Sequence, residues 1–97
     1  TRPKIKKACS HVWHLFVIQI EDRDGLNDHL YKNGVQTIIN YPVCLPLLPA
    51  YKYLDHSKFD FPTAYHHQSR ILSLPIFPEI TNEQIDFVVS NIKSFYG

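Results

Sequence analysis

The sequence predicts an α+β fold: a small sheet of about three strands covered by helices, in the order β-α-β-loop-α-β-α. Three observations lead there. Residues 12–20 read VWHLFVIQI, a β-branched and aromatic run of strand length. Asn33-Gly34 closes a helical stretch and opens a second β-rich run at residues 35–39. Thr81-Asn82-Glu83-Gln84 is a capping box ahead of an apolar face with helical spacing.

Residues 12–20 make the first strand, mostly buried because nearly every side chain is apolar. Asp22 caps the helix that follows, Asp24 stands in its first turn at the positive end of the macrodipole, and Leu26 and Leu30 form its apolar stripe. Gly34, just past the helix, takes the left-handed conformation without a Cβ clash, so the chain reverses into residues 35–39 as a second strand. Pro42, Pro46 and Pro49 remove backbone donors and exclude a central strand, leaving residues 41–49 as an ordered loop that enters a short helical turn at 50–54. That loop is the expected place for a binding surface. Asp60-Phe61-Pro62 signals a helix start, with Asp60 as cap and Pro62 in the first turn, and an end near Ile71. Residues 72–76 form a third strand whose Pro75 implies an edge or a strand end. In the final helix Ile80 staples onto Ile85, while Ile85, Val88, Val89 and Ile92 share one face. There is no internal repeat and no low-complexity segment.

A chain of 97 residues fits one small domain with a modest core. Its 44% hydrophobic and 20% charged residues are too apolar a mixture for a disordered chain. The formal charge of +1 provides no global field for nucleic acid or an anionic membrane. Arg2, Lys4, Lys6 and Lys7 make a local basic cluster, read as a solvated lead-in because no interleaved aromatics accompany it. A small nucleic-acid-binding protein using those residues is the weakest alternative. Cys9 and Cys44 do not form a disulfide framework and suit a reducing cytosol, so a cytoplasmic location is expected. No apolar run approaches the roughly 20 residues of a membrane helix.

Six histidines raise the question of a metal. His11 and His14 are three apart, so in a regular strand they point to opposite faces and cannot share an ion. His66 and His67 diverge by about 100° on a helix. No Cys or His spacing resembles a structural zinc site, and no metal is expected. Neither a nucleophile elbow nor a Gly-rich phosphate loop is present, and no catalytic residue is assigned. The scattered tyrosines read as packing residues, with one exception. Asn40-Tyr41 places two hydrogen-bonding side chains at the junction of strand and proline-rich loop, where a rigid frame displays binding groups; the competing reading is a turn cap and a packed ring.

Gly34-Val35-Gln36-Thr37-Ile38-Ile39-Asn40-Tyr41-Pro42, Leu72-Ser73-Leu74-Pro75-Ile76-Phe77-Pro78 and His11-Val12-Trp13-His14-Leu15-Phe16-Val17-Ile18 together resemble the C-terminal small domain of the DegT/DnrJ/EryC1/StrS family, the pyridoxal-phosphate-dependent nucleotide-sugar aminotransferases. The resemblance runs from Ser10 to Tyr96. It implies residues 1–9 as a basic lead-in from a missing N-terminal domain and residues 10–97 as the small domain, with a fold like that of the small C-terminal domain of fold-type I pyridoxal phosphate aminotransferases. The implied activity of the full-length parent is transfer of an amino group, typically from glutamate, to a nucleotide-linked keto-sugar, with the cofactor carrying the carbanion chemistry. The resemblance places the Schiff-base lysine and the phosphate-binding groups in the larger domain and in a second subunit. Lys4, Lys6, Lys7, Lys32, Lys52, Lys58 and Lys93 match no part of that motif, so no cofactor is expected in this chain alone, which is then inactive. Asn40 and Tyr41 become candidate contacts to the sugar-nucleotide side of the cleft. Two departures stand out: Asn40 replaces the family's usual His before Tyr-Pro, and Leu45-Pro46-Leu47 lacks the His of its usual Pro-Leu-His. Implied partners are the N-terminal large domain, the sugar nucleotide, the amino donor and a second copy in a homodimer. The alternative is a non-catalytic regulatory or interaction module, since some family members are described as pleiotropic regulators.

Overall fold

Two short antiparallel strands frame the molecule. In the computed structural model, which describes residues 1–97, β1 (Phe16–Gln19) pairs with β2 (Ile71–Leu74) in the register Phe16 to Leu74 and Ile18 to Leu72. Period-two alternation sends Phe16, Ile18, Leu72 and Leu74 to one face. There they meet Leu26 and Leu30 of α1 (Arg23–Lys32), Val35, and the inner stripe of α3 (Asn82–Tyr96), namely Val88, Ile92 and Phe95. Ile18, Leu26, Leu30, Val35 and Leu72 are the buried centre, each contributing roughly 2 kcal/mol by removal from water. Between α1 and β2 lie two 3₁₀ turns, Leu45–Leu47 and Pro49–Leu54, and α2 (Pro62–Gln68).

The sheet is smaller than expected, with two strands instead of three. Residues 35–39 contribute a single bridge, Ile38 to Ser73, in which each N–H donates to the other's carbonyl at 3.1 and 2.8 Å. The cause is competition from α1. The Val35 N–H donates to Leu30 O at 2.9 Å, and the Thr37 hydroxyl donates to Asn27 Oδ1, so these residues are held on the helix and only Ile38 reaches β2. Strand β1 also starts four residues later than the apolar run. Trp13 turns to φ 47° and its N–H donates to His11 Nδ1 at 2.8 Å, a local knot incompatible with extension. The expectation of opposite-facing histidines therefore loses its premise, because His11 and His14 are outside the strand.

Other boundaries follow the same logic. Asp22 caps α1 through a 3.0 Å bond accepted from Gly25 N, and Gly34 adopts φ 78° just beyond the helix. Asp60 does not cap α2; its carboxylate instead accepts from Ser57 N at 2.7 Å and from the Ser57 hydroxyl at 3.2 Å, leaving Phe61 at the cap position with no side-chain bond. Helix α2 stops at Gln68 rather than near Ile71, because Arg70 N turns back to His67 O and Ile71 enters β2. The capping box of α3 forms as expected, with Thr81 Oγ1 accepting from Gln84 N at 3.3 Å and Gln84 Oε1 accepting from Thr81 N at 2.9 Å. Arg23, nearly buried, donates to Asp24 and to the carbonyls of Gln68 and Ile71, tying α1 to the α2–β2 corner.

The two rims of the sheet carry one extra residue each: Ile38 beside β2, and Thr1 beside β1, where Thr1 N donates to Gln19 O at 2.6 Å and Gln19 N donates to Thr1 O at 2.9 Å. The molecule is open for its size. Its accessible surface is 7668 Å², against roughly 5,800 Å² for a compact monomer of this mass. Its radius of gyration is 15.7 Å, where about 13 Å is usual. Helix α3 buries no residue fully, and Ile85 and Val89 remain 42% and 40% exposed beside an apolar groove of about 490 Å³ also lined by Trp13, Phe16, Ile80 and Ile92.

Candidate functional site

The strand-to-loop junction is built from three anchors. The Ile38–Ser73 bridge fixes the backbone just before it. Ile39 packs against the core. Beyond it, Cys44 N donates to Gln68 Oε1 at 2.7 Å, and Cys44 is buried, so the proline-rich loop is held against α2. Between these anchors Asn40 is half-buried, its Oδ1 accepting from the Ser73 hydroxyl at 3.2 Å, while Tyr41 is 72% exposed and joined to it by a cis peptide bond. Asn40 thus has a defined partner, whereas Tyr41 makes no side-chain hydrogen bond.

A wide concavity, about 990 Å³, lies on the neighbouring surface between the end of α1, residues 34–38, the exit of β2 and the start of α3. It borders the junction through Ile38 and Ser73 but is not lined by Asn40 or Tyr41. Its polar groups include His14, Asn27, Gln36, Thr37, Glu83 and Gln84, and its apolar wall includes Tyr31, Phe77 and Phe87. Sequence reasoning did not single out Asn27, Thr37 or Ser73 as site residues. The available signal was Ser73 itself, a lone hydroxyl inside the apolar run Ile71–Leu74, which needs a partner once buried.

Electrostatics at the groove are mild. At the start of α3, the backbone N–H of Glu83 and the Thr81 side chain hold the Glu83 carboxyl below its ordinary value. On the far side of the molecule the Arg70 guanidinium, 2.7 Å away, lowers Glu21 in the same direction. No three His, Cys, Asp or Glu side chains approach closely enough to hold a metal ion. The groove therefore offers neutral hydrogen-bonding groups and one carboxylate, Glu83, beside aromatic surface.

Residues 1–93 match the model of the DegT/DnrJ/EryC1/StrS aminotransferase family. The chain is 40% identical over 94 residues to the erythromycin biosynthesis sensory transduction protein EryC1 of Saccharopolyspora erythraea, covering 97% of this chain and 26% of that protein. It is 30% identical over 96 residues to the dTDP-3-amino-3,6-dideoxy-alpha-D-galactopyranose transaminase of Aneurinibacillus thermoaerophilus, covering 96% of this chain and 25% of that protein. The crystal structure of S. venezuelae DesV in complex with a ketimine intermediate matches with a TM-score of 0.91 at 33% identity, over 97% of this chain and 25% of that chain. The chain thus spans about a quarter of the length of the relatives it matches. No helix is long and apolar enough to cross a membrane. A family match over residues 1–93, reinforced by a shared fold, means that this chain belongs to the DegT/DnrJ/EryC1/StrS aminotransferase family.

Proposed function

We propose that the chain is the C-terminal small domain, residues 10–97, of a pyridoxal-phosphate-dependent aminotransferase. The full-length parent transfers an amino group from an amino acid, typically glutamate, to a nucleotide-linked keto-sugar in the cytoplasm. The observation that carries this reading is the match in fold to DesV over 97% of this chain and only 25% of that one, on a molecule whose α3 and β1 leave an apolar groove open.

The residues present do not fit pyridoxal phosphate by themselves. Neither groove is lined by a lysine, the wider one has no arginine either, and all seven lysines are exposed on the outer surface. When bound in a parent enzyme the cofactor supplies the electron sink for amino transfer. In this proposal its holding groups belong to the N-terminal large domain and to the second subunit of a homodimer. This chain forms one wall of the sugar-nucleotide cleft, with Asn40 and Tyr41 at the rim of that wall as substrate contacts.

Two measurements test the proposal. The full-length protein with pyridoxal phosphate acquires the yellow absorbance of the bound cofactor, bleached by the amino donor, while the 97-residue chain acquires none. Asn40→Ala in the full-length protein slows the keto-sugar half-reaction far more than the donor half-reaction; equal effects on both remove Asn40 from the substrate site. The S. erythraea relative is named as a sensory transduction protein, which favours a second reading as a non-catalytic regulatory module. Full-length protein that neither binds pyridoxal phosphate nor aminates a keto-sugar supports that second reading.

A further inference from the structure

The contact between Ser73 and Asn40 has a direction. Ser73 is 4% exposed, and its hydroxyl has one partner in the chain, the Asn40 amide at 3.2 Å. A buried hydroxyl that accepted a bond from the Asn40 NH₂ group would leave its own proton without an acceptor, and an unsatisfied buried donor is costly. Donation from Ser73 Oγ to Asn40 Oδ1 satisfies it, and no buried side-chain polar atom in the molecule is left without a partner. The oxygen end of the Asn40 amide therefore faces β2. Its Nδ2 faces the other way, and nothing in the chain accepts from it.

The backbone makes this orientation firm. Ser73 and Ile38 exchange two backbone hydrogen bonds, so the hydroxyl sits at a fixed height beside the residue two positions after Ile38. We propose that Ser73 is a positioning residue: it holds Asn40 with its carbonyl inward and its NH₂ outward, so that this junction presents two hydrogen-bond donors and selects an oxygen acceptor on the ligand, a hydroxyl, carbonyl or phosphate oxygen. The inference rests on the reading above that Asn40 contacts the sugar nucleotide. It adds which atoms do so and what sets them.

The test uses the full-length protein with isotope-labelled asparagine. In Ser73→Ala the Asn40 carbonyl carbon resonance shifts upfield and its NH₂ group becomes more mobile, whereas Ser73→Thr, which keeps the hydroxyl, preserves the wild-type signals. Unmoved Asn40 signals in Ser73→Ala overturn the positioning role without reference to any ligand. The second arm measures binding of dTDP-3-amino-3,6-dideoxy-alpha-D-galactopyranose, the sugar nucleotide in the name of the A. thermoaerophilus relative. Ser73→Ala weakens it roughly tenfold, the double variant with Asn40→Ala is no weaker than Asn40→Ala alone, and Ser73→Thr restores it. Asn40→Asp, which still accepts from Ser73 but replaces the donors with a carboxylate, binds more weakly than Asn40→Ala. Tighter binding by Asn40→Asp, or additive losses in the double variant, overturns the donor assignment. Undiminished binding by Asn40→Ala, or no binding by the wild type, sinks the substrate-contact reading itself while the resonance arm still decides the role of Ser73.

Discussion

Asp22 and Gly25 compete for the same few cubic ångströms. A Cβ on Gly25 would stand 2.2 Å from Asp22 Oδ2, the carboxylate that caps α1. Gly inside a helix costs about 1 kcal/mol relative to Ala, and a lost cap costs about the same. Gly25→Ala in the wild type is therefore expected to be close to neutral in urea unfolding. Asp22→Ala alone should destabilise by about 1 kcal/mol, and Gly25→Ala added to it should recover about that amount. A Gly25→Ala variant that is equally stabilising in both backgrounds contradicts the competition. The same scale explains why Ser73 escaped notice as a site residue: its partner is 33 positions away, and only the folded register brings the hydroxyl to Asn40.

Helix α3 shows how far local chemistry reaches. Its start is legible from Thr81 and Gln84 alone, since both capping bonds lie within four residues, and so is the Asp22 start of α1. Thr81→Ala should cost about 1 kcal/mol in chemical unfolding. Glu83 adds a pH signature. Its folded carboxyl titrates below the ordinary value of 4.5, so its stabilising effect is complete above that value and is lost as the pH falls through the lowered one. Glu83→Gln should therefore be less stable than wild type at neutral pH, and the difference should vanish in acid; a gap that persists below the glutamate range contradicts this. The element that the sequence did not disclose is the missing strand at residues 35–39. Its composition is that of a strand, but Val35 and Thr37 bond to α1, and such tertiary competition has no local signature. The late start of β1 differs in kind, since the turn at Trp13 is set locally by the His11 side chain two residues before it. Asp60 misled for the opposite reason, since its carboxylate found a closer donor in Ser57.

At the scale of the whole molecule, the surface in excess of a compact monomer is roughly 1,900 Å². Interfaces between domains of one chain bury 600 to 1,500 Å² as a rule of thumb, roughly the order of this excess. In isolation the chain is expected to self-associate through the exposed stripe of α3, most simply as a twofold dimer. Sedimentation at rising concentration should show species heavier than the 11.4 kDa monomer, and Ile85→Glu should return the protein to monomer. A wild type that stays monomeric at high concentration contradicts the assignment of that stripe as a contact face.

The residues flanking the sheet have a protective consequence. A two-stranded ladder ordinarily leaves two rows of unpaired amides on which another polypeptide can polymerise. Here Thr1 engages one margin at Gln19 and Ile38 the other at Ser73, each by a reciprocal pair of bonds. Each margin therefore offers an incoming strand fewer free amides than a bare two-stranded ladder does.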